Sequence, residues 1–119
     1  MLLFVRPYGA LSQARTYQTA IVAFYNMENF YDTVDNPHVN DDEFLPNGKK
    51  AYTSAVYKEK VNHLARVVSE IGTDINPDGP ALLGCAEIEN DTVLNDLVRD
   101  PQIAKRDYQF VHYDSRDPR

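Results

Sequence analysis

The chain has 119 residues, 43% of them hydrophobic and 25% charged, with a net charge of -6 at pH 7. That is one domain or part of one, apolar enough to bury a core, which excludes wholesale disorder. The acidic balance argues against a general, charge-driven nucleic-acid binder, though not against a metal-dependent phosphoesterase, whose cation reverses the local field.

Residues 1–14 differ from the rest. Met1-Leu2-Leu3-Phe4-Val5 is a brief apolar run, and Leu11-Ser12-Gln13-Ala14 ends in a small-x-small pattern. Together they resemble the tail of a secretory signal peptide, an apolar stretch followed by a cleavage site. Arg6 and Pro7 interrupt the run, so two alternatives stand: a signal that has lost its beginning, or a frayed N-terminal tail. The first implies a secreted or periplasmic protein; the second leaves the cytoplasm open. No stretch reaches the length of a transmembrane helix.

The domain proper is read from residue 20 to residue 119. Ala20-Ile21-Val22-Ala23-Phe24-Tyr25 is rich in β-branched and aromatic residues and predicts a strand that stops at Asn26. From there to about Tyr52 the chain has no sustained period and is studded with Asp, Asn, Pro and Gly, which predicts a long loop of the kind that carries function. Its acidic part, Asp41-Asp42-Glu43, lacks the alternating carboxylates and central glycine of an EF-hand and reads as a solvated acidic loop.

Thr53 or Ser54 then caps a helix. Tyr57, Val61, Leu64, Val68 and Ile71 share one helical face, and Gly72 is a natural C-terminal stop. His63 lies at the edge of that stripe and reads as half-buried and structural. Pro80 to Ala86 predicts a second strand, in which the lone cysteine, Cys85, serves as a small buried hydrophobe. A shorter helix follows from Asn90 or Asp91 to Val98, with Val93 or Leu94, Leu97 and Val98 inward, and Pro101 bars its extension. The alternation of Tyr108, Phe110 and His112 against Gln109, Val111 and Tyr113 predicts a third strand. Strand, loop, helix, strand, helix and strand make an α/β fold with a βαβ core.

Strands joined through a crossover helix run parallel, so their ends meet at one sheet edge, with neighbouring strands about 4.8 Å apart. Asn26 closes the first strand and Glu87 the second. Glu28 lies close enough to turn into the same region. One amide and two carboxylates form a hard-oxygen set suited to Mg2+ or Mn2+ rather than zinc. The bland alternative is that Asn26 caps a turn and Glu87 begins a solvated loop.

Phe24-Tyr25-Asn26-Met27-Glu28-Asn29-Phe30, with Gly84-Cys85-Ala86-Glu87-Ile88-Glu89-Asn90 well downstream, resembles the endonuclease/exonuclease/phosphatase superfamily, which has the deoxyribonuclease-I-like fold. The resemblance covers roughly Ala20 to Arg119. It implies the N-terminal part of a four-layer α/β sandwich and a metal-dependent hydrolase of phosphodiesters or phosphomonoesters. Glu87 matches the family's metal-binding glutamate and Asn26 the amide that helps order metal and scissile phosphate. Glu28 stands where some members place a second acidic ligand. The implied partner is a phosphate-ester substrate, nucleic acid among the candidates.

The family's Asp-x-Asn motif and its terminal Asp-His pair have no counterpart in these residues, and His38, His63 and His112 do not stand in matching contexts. The chain alone is therefore expected to be inactive or nearly so, and to leave one sheet face uncovered. Two rival readings are carried: a sugar-, inositol-phosphate or lipid phosphatase rather than a nuclease, and a non-catalytic binding module on the same half-fold.

Overall fold

The structure, a computed structural model, describes residues 16–114, so the leader-like residues 1–14 lie outside the described residues. Four main elements follow in chain order: β1 (Ile21–Phe30), α1 (Ser54–Glu70), β2 (Pro80–Ile88) and α2 (Asp91–Arg99). Single 3-10 turns lie at Asp42–Phe44 and Ala104–Arg106. The strands β1 and β2 pair in parallel across the α1 crossover, which is the βαβ unit expected of the sequence.

The helices begin and end where local chemistry dictates. Thr53 Oγ1 accepts the Val56 N–H at 3.4 Å, and Asn90 Oδ1 accepts those of Thr92 and Val93 at 2.8 and 3.1 Å. Both side chains satisfy N–H groups that the first turn leaves without a partner. Ile71 closes α1, and Gly72 follows with φ of 69°, the left-handed conformation that glycine adopts without steric cost. A Cβ there would also meet Ile21 Cδ1 at 2.5 Å, so any other residue requires the Ile21 side chain to shift.

Packing puts both helices on one face of the sheet. Met27 and Phe30 of β1 form one core cluster with Leu64, Ala65 and Val68 of α1, Val93 and Leu97 of α2, and Ile103. Leu83 and Cys85 of β2 pack against it, which leaves the Cys85 thiol half-buried and its pKa raised by burial. The opposite face carries Val22, Phe24 and Leu82, which are 72%, 71% and 63% exposed. That sheet face is uncovered among the described residues, as expected. Phe24 lies across Gly84, its register partner, where a Cβ would approach Phe24 Cδ2 to 2.8 Å.

Several expectations are corrected. β1 does not stop at Asn26 but continues to Phe30, and β2 continues past Ala86 to Ile88. The region Tyr108–Tyr113 is not a strand. Its alternation survives, with Tyr108, Phe110 and His112 half-buried and Gln109, Val111 and Tyr113 exposed, but it makes no ladder with either described strand. Periodicity reports which side faces the core, whereas a ladder needs a neighbouring edge. The segment is strapped down by side chains instead. Arg106 donates to the Val68 and Ser69 carbonyls at the end of α1, each at 2.9 Å, and Tyr108 Oη donates to the Pro80 carbonyl at 2.7 Å.

His63 is exposed rather than half-buried, 4.0 Å from Glu59 on the outer side of α1. Asp41, read as part of a solvated loop, is only 2% exposed. The loop owes its order to a chain of rings: Tyr31 stacks on Phe44, Phe44 meets Tyr52 edge-on, and Tyr52 and Phe30 both contact Tyr57 of α1.

Candidate functional site

Asn26 and Glu87 meet. Asn26 Nδ2 donates to Glu87 Oε1 at 2.8 Å, and the Asn29 N–H donates to Glu87 Oε2 at 3.0 Å. The other end of the Asn26 amide is also held, since the Glu28 N–H donates to Asn26 Oδ1 at 2.7 Å. Lys60 of α1 donates to the Glu28 carbonyl at 2.9 Å. Glu28 thus enters the site through its backbone. Its carboxylate makes no hydrogen bond or ion pair among the described residues.

This clasp depends on an irregularity in the sheet. Asn26 pairs with Ala86 and Phe30 with Ile88, so three residues of β1 stand opposite the single residue Glu87. Glu28, Asn29 and Glu87 all have positive φ, 55°, 56° and 60°. By strict alternation Glu87 would share the core-facing side of Leu83 and Cys85. The left-handed backbone at Glu87 breaks that alternation and leaves the residue exposed beside Asn26. The bulge in β1 likewise lets Met27 and Phe30, three residues apart, both reach the core. Left-handed conformations at non-glycine residues cost about 1 kcal/mol or more each. Three gathered around one carboxylate mark the edge where the fold tolerates strain to aim a side chain.

The arrangement suits a hard divalent cation. Each Glu87 oxygen accepts one hydrogen bond and keeps a lone pair for another partner. The carboxylate is exposed and pinned in orientation, and an unpaired carboxylate, Glu28, is close in sequence. Magnesium typically takes one or two protein carboxylates and keeps several waters, so a sparse set fits it.

A supporting layer lies behind the clasp, and sequence reading assigned it no role. The Glu89 N–H donates to the Phe30 carbonyl at 3.1 Å, and Glu89 Oε2 accepts the Asp32 N–H at 2.8 Å. Asn90, besides capping α2, donates to Asp32 Oδ2 at 3.0 Å. The Glu-x-Glu-Asn run therefore places its first carboxylate outward and uses its last two residues to moor the start of the long loop. The only signal in the sequence was the motif itself, because the Asp32 partner lies 57 residues away.

Burial, more than the Asp32 and Asp41 charges nearby, pushes the Glu89 carboxyl up to about 7, against a pull downward from the Asp32 N–H. Tyr52 is pushed up to about 12 by burial and then by Glu89 and Asp32. Glu89 Oε1 and the Tyr52 hydroxyl are buried without hydrogen-bond partners. Folded Glu89 holds its proton more tightly than the unfolded chain does. Its stabilising contribution is therefore complete below the unfolded value of 4.5 and is lost as pH rises through about 7. With partial exposure discounted, the wild type should lose about 1 kcal/mol between pH 5 and pH 8 through this group. Glu89→Gln should shrink that difference, as read from urea midpoints in the presence of a chelator.

The histidines are placed elsewhere. His112 Nδ1 lies 3.1 Å from Asp91 Oδ1, at the start of α2, and His63 faces Glu59. His38 sits in the long loop, its N–H donating to Asn36 Oδ1 at 3.1 Å. None touches Glu87 or Asn26.

Compared with known families, residues 21–119 match the one described as the Endonuclease/Exonuclease/phosphatase family. No curated protein and no solved structure matches the chain significantly.

Proposed function

Since the chain belongs to the Endonuclease/Exonuclease/phosphatase family, we propose that it serves a divalent-metal-dependent hydrolase of phosphodiesters or phosphomonoesters. Glu87 is the metal ligand and Asn26 the amide that orders it. Glu28 is a second acidic ligand for Mg2+ or Mn2+. The observation that carries this reading is the Asn26–Glu87–Asn29 clasp, which holds an exposed carboxylate in one orientation at a strained sheet edge. Pre-set geometry of that kind is what a catalytic ligand needs and a solvated loop glutamate does not.

The bound cation would neutralise charge on the phosphoryl oxygens and stabilise the leaving oxygen. The chain's own residues orient and hold. Asn26 fixes one Glu87 oxygen and the Asn29 N–H the other, and Glu89 with Asn90 moors the start of the loop at Asp32. Water activation needs a general base within hydrogen-bond reach, and none of the three histidines is at this edge. These residues alone should therefore hydrolyse phosphate esters slowly.

The net charge of -6 favours small phosphate esters, such as sugar, inositol or lipid phosphates, over long nucleic acid. The absence of a histidine at the site favours a non-catalytic binding module as the second reading. The leader-like residues 1–14 support a secreted or periplasmic location. Among the described residues, no helix is long and apolar enough to cross a membrane.

The test is an assay of the protein as its own gene encodes it, on p-nitrophenyl phosphate, bis-p-nitrophenyl phosphate, inositol phosphates and DNA, with Mg2+ and with chelator. Metal-dependent turnover on any of them supports the hydrolase and identifies the ester class. Metal binding at Glu87 with no turnover on the whole set favours the module.

A further inference from the structure

The long loop gathers three carboxylates away from the Glu87 clasp. Ligand oxygens of Asp35, Asp41 and Asp42 all lie within 4.8 Å of one another. Asp35 and Asp42 are exposed, but Asp41 is 2% exposed and ranks among the largest fully buried side chains. Asp41 Oδ2 accepts the Asn36 N–H at 3.0 Å, while Asp41 Oδ1 is buried with no hydrogen-bond partner. A buried carboxylate oxygen without a donor is costly, and two like charges beside it add to the cost.

Among the described residues, no lysine, arginine or histidine pairs with any of the three. The lysines that follow in the loop are committed elsewhere. Lys49 and Lys50 face Glu43 at 3.9 and 3.4 Å, and Lys50 also sits 3.8 Å above the Phe44 ring.

We propose that Asp35, Asp41 and Asp42 form a second divalent-cation site, of the calcium class, that fixes the loop between β1 and α1. Calcium binds carboxylate oxygens at about 2.3–2.6 Å, so oxygens up to about 5 Å apart can share one ion, and it accepts irregular loop geometry. Magnesium binds at a shorter distance and demands a near-ideal octahedron, which an irregular loop does not supply. The cation supplies the partner that Asp41 Oδ1 lacks. Within the fold that oxygen has no other hydrogen-bond partner. Its role is structural and its residues are separate from Asn26, Glu28 and Glu87.

The test is calcium titration calorimetry of the purified chain, the Asp42→Asn and Asp35→Asn variants, and Glu87→Gln. Both aspartates are exposed, so the variants should fold, which far-UV circular dichroism confirms. Calcium binding is expected in the wild type, retained in Glu87→Gln, and weakened about tenfold or more in each aspartate variant. Three results would overturn the proposal: no calcium binding up to about 10 mM, binding unchanged in both aspartate variants, or binding at this cluster that is tighter for magnesium than for calcium.

Discussion

Glu87→Gln is expected to lower metal-dependent phosphoester hydrolysis by at least about 100-fold in the protein as its gene encodes it, because a neutral amide is a poor ligand for a hard cation. The substitution conserves shape but not hydrogen bonding. Both Glu87 oxygens face donors, Asn26 Nδ2 and the Asn29 N–H, so an amide nitrogen must confront one of them. At this exposed site that mismatch should cost about 1 kcal/mol of stability, much less than a core substitution. The measurement is paired: turnover against metal concentration, and a urea melt of the same preparation. Full activity in a folded Glu87→Gln variant would remove Glu87 from the site.

Phe30→Ala should have the largest effect on the fold. Phe30 is 0% exposed, belongs to the main core cluster and stacks on Tyr57 with ring centroids 6.2 Å apart. Its carbonyl also accepts the Glu89 N–H beyond the bulge. Truncating a fully buried phenylalanine costs about 3–5 kcal/mol. That is a large share of the stability of a small domain, about 5–15 kcal/mol at best. The variant should lose its cooperative urea transition at room temperature, whereas Val22→Ala, on the open face of the same strand, should stay within about 0.5 kcal/mol of the wild type. Equal effects at the two positions would mean that the open face is covered in solution.

The contrast between those residues marks how far local sequence reaches. Thr53, Gly72 and Asn90 announced the helix ends because caps and left-handed stops are chosen by the residues on the spot. The apolar spacing from Tyr57 to Ile71 named the buried face of α1, although Ala65, too small to stand out in the pattern, was missed. The parallel pairing of β1 and β2 followed from the crossover between them, and with it the meeting of Asn26 and Glu87 at one edge. Family membership was legible in the same two motifs.

Contacts between distant residues decided the rest. Nothing in the run Cys85-Ala86-Glu87-Ile88 says that Glu87 leaves the strand alternation. That follows from a bulge in β1 and from donors on Asn26 and Asn29, some sixty residues earlier. Asp41 reads as solvent-facing beside Asp42 and Glu43, and only the folded loop buries it. Tyr108 to Tyr113 alternates like a strand, yet a strand exists only where another edge offers its backbone. The sequence by itself determined the helices, the βαβ order and the identity of the carboxylate at the sheet edge, because those depend on short-range sterics and periodicity. The tertiary structure alone decided which way that carboxylate points, what holds it, and which acidic residues lie buried, because those depend on partners that the chain brings together only by folding.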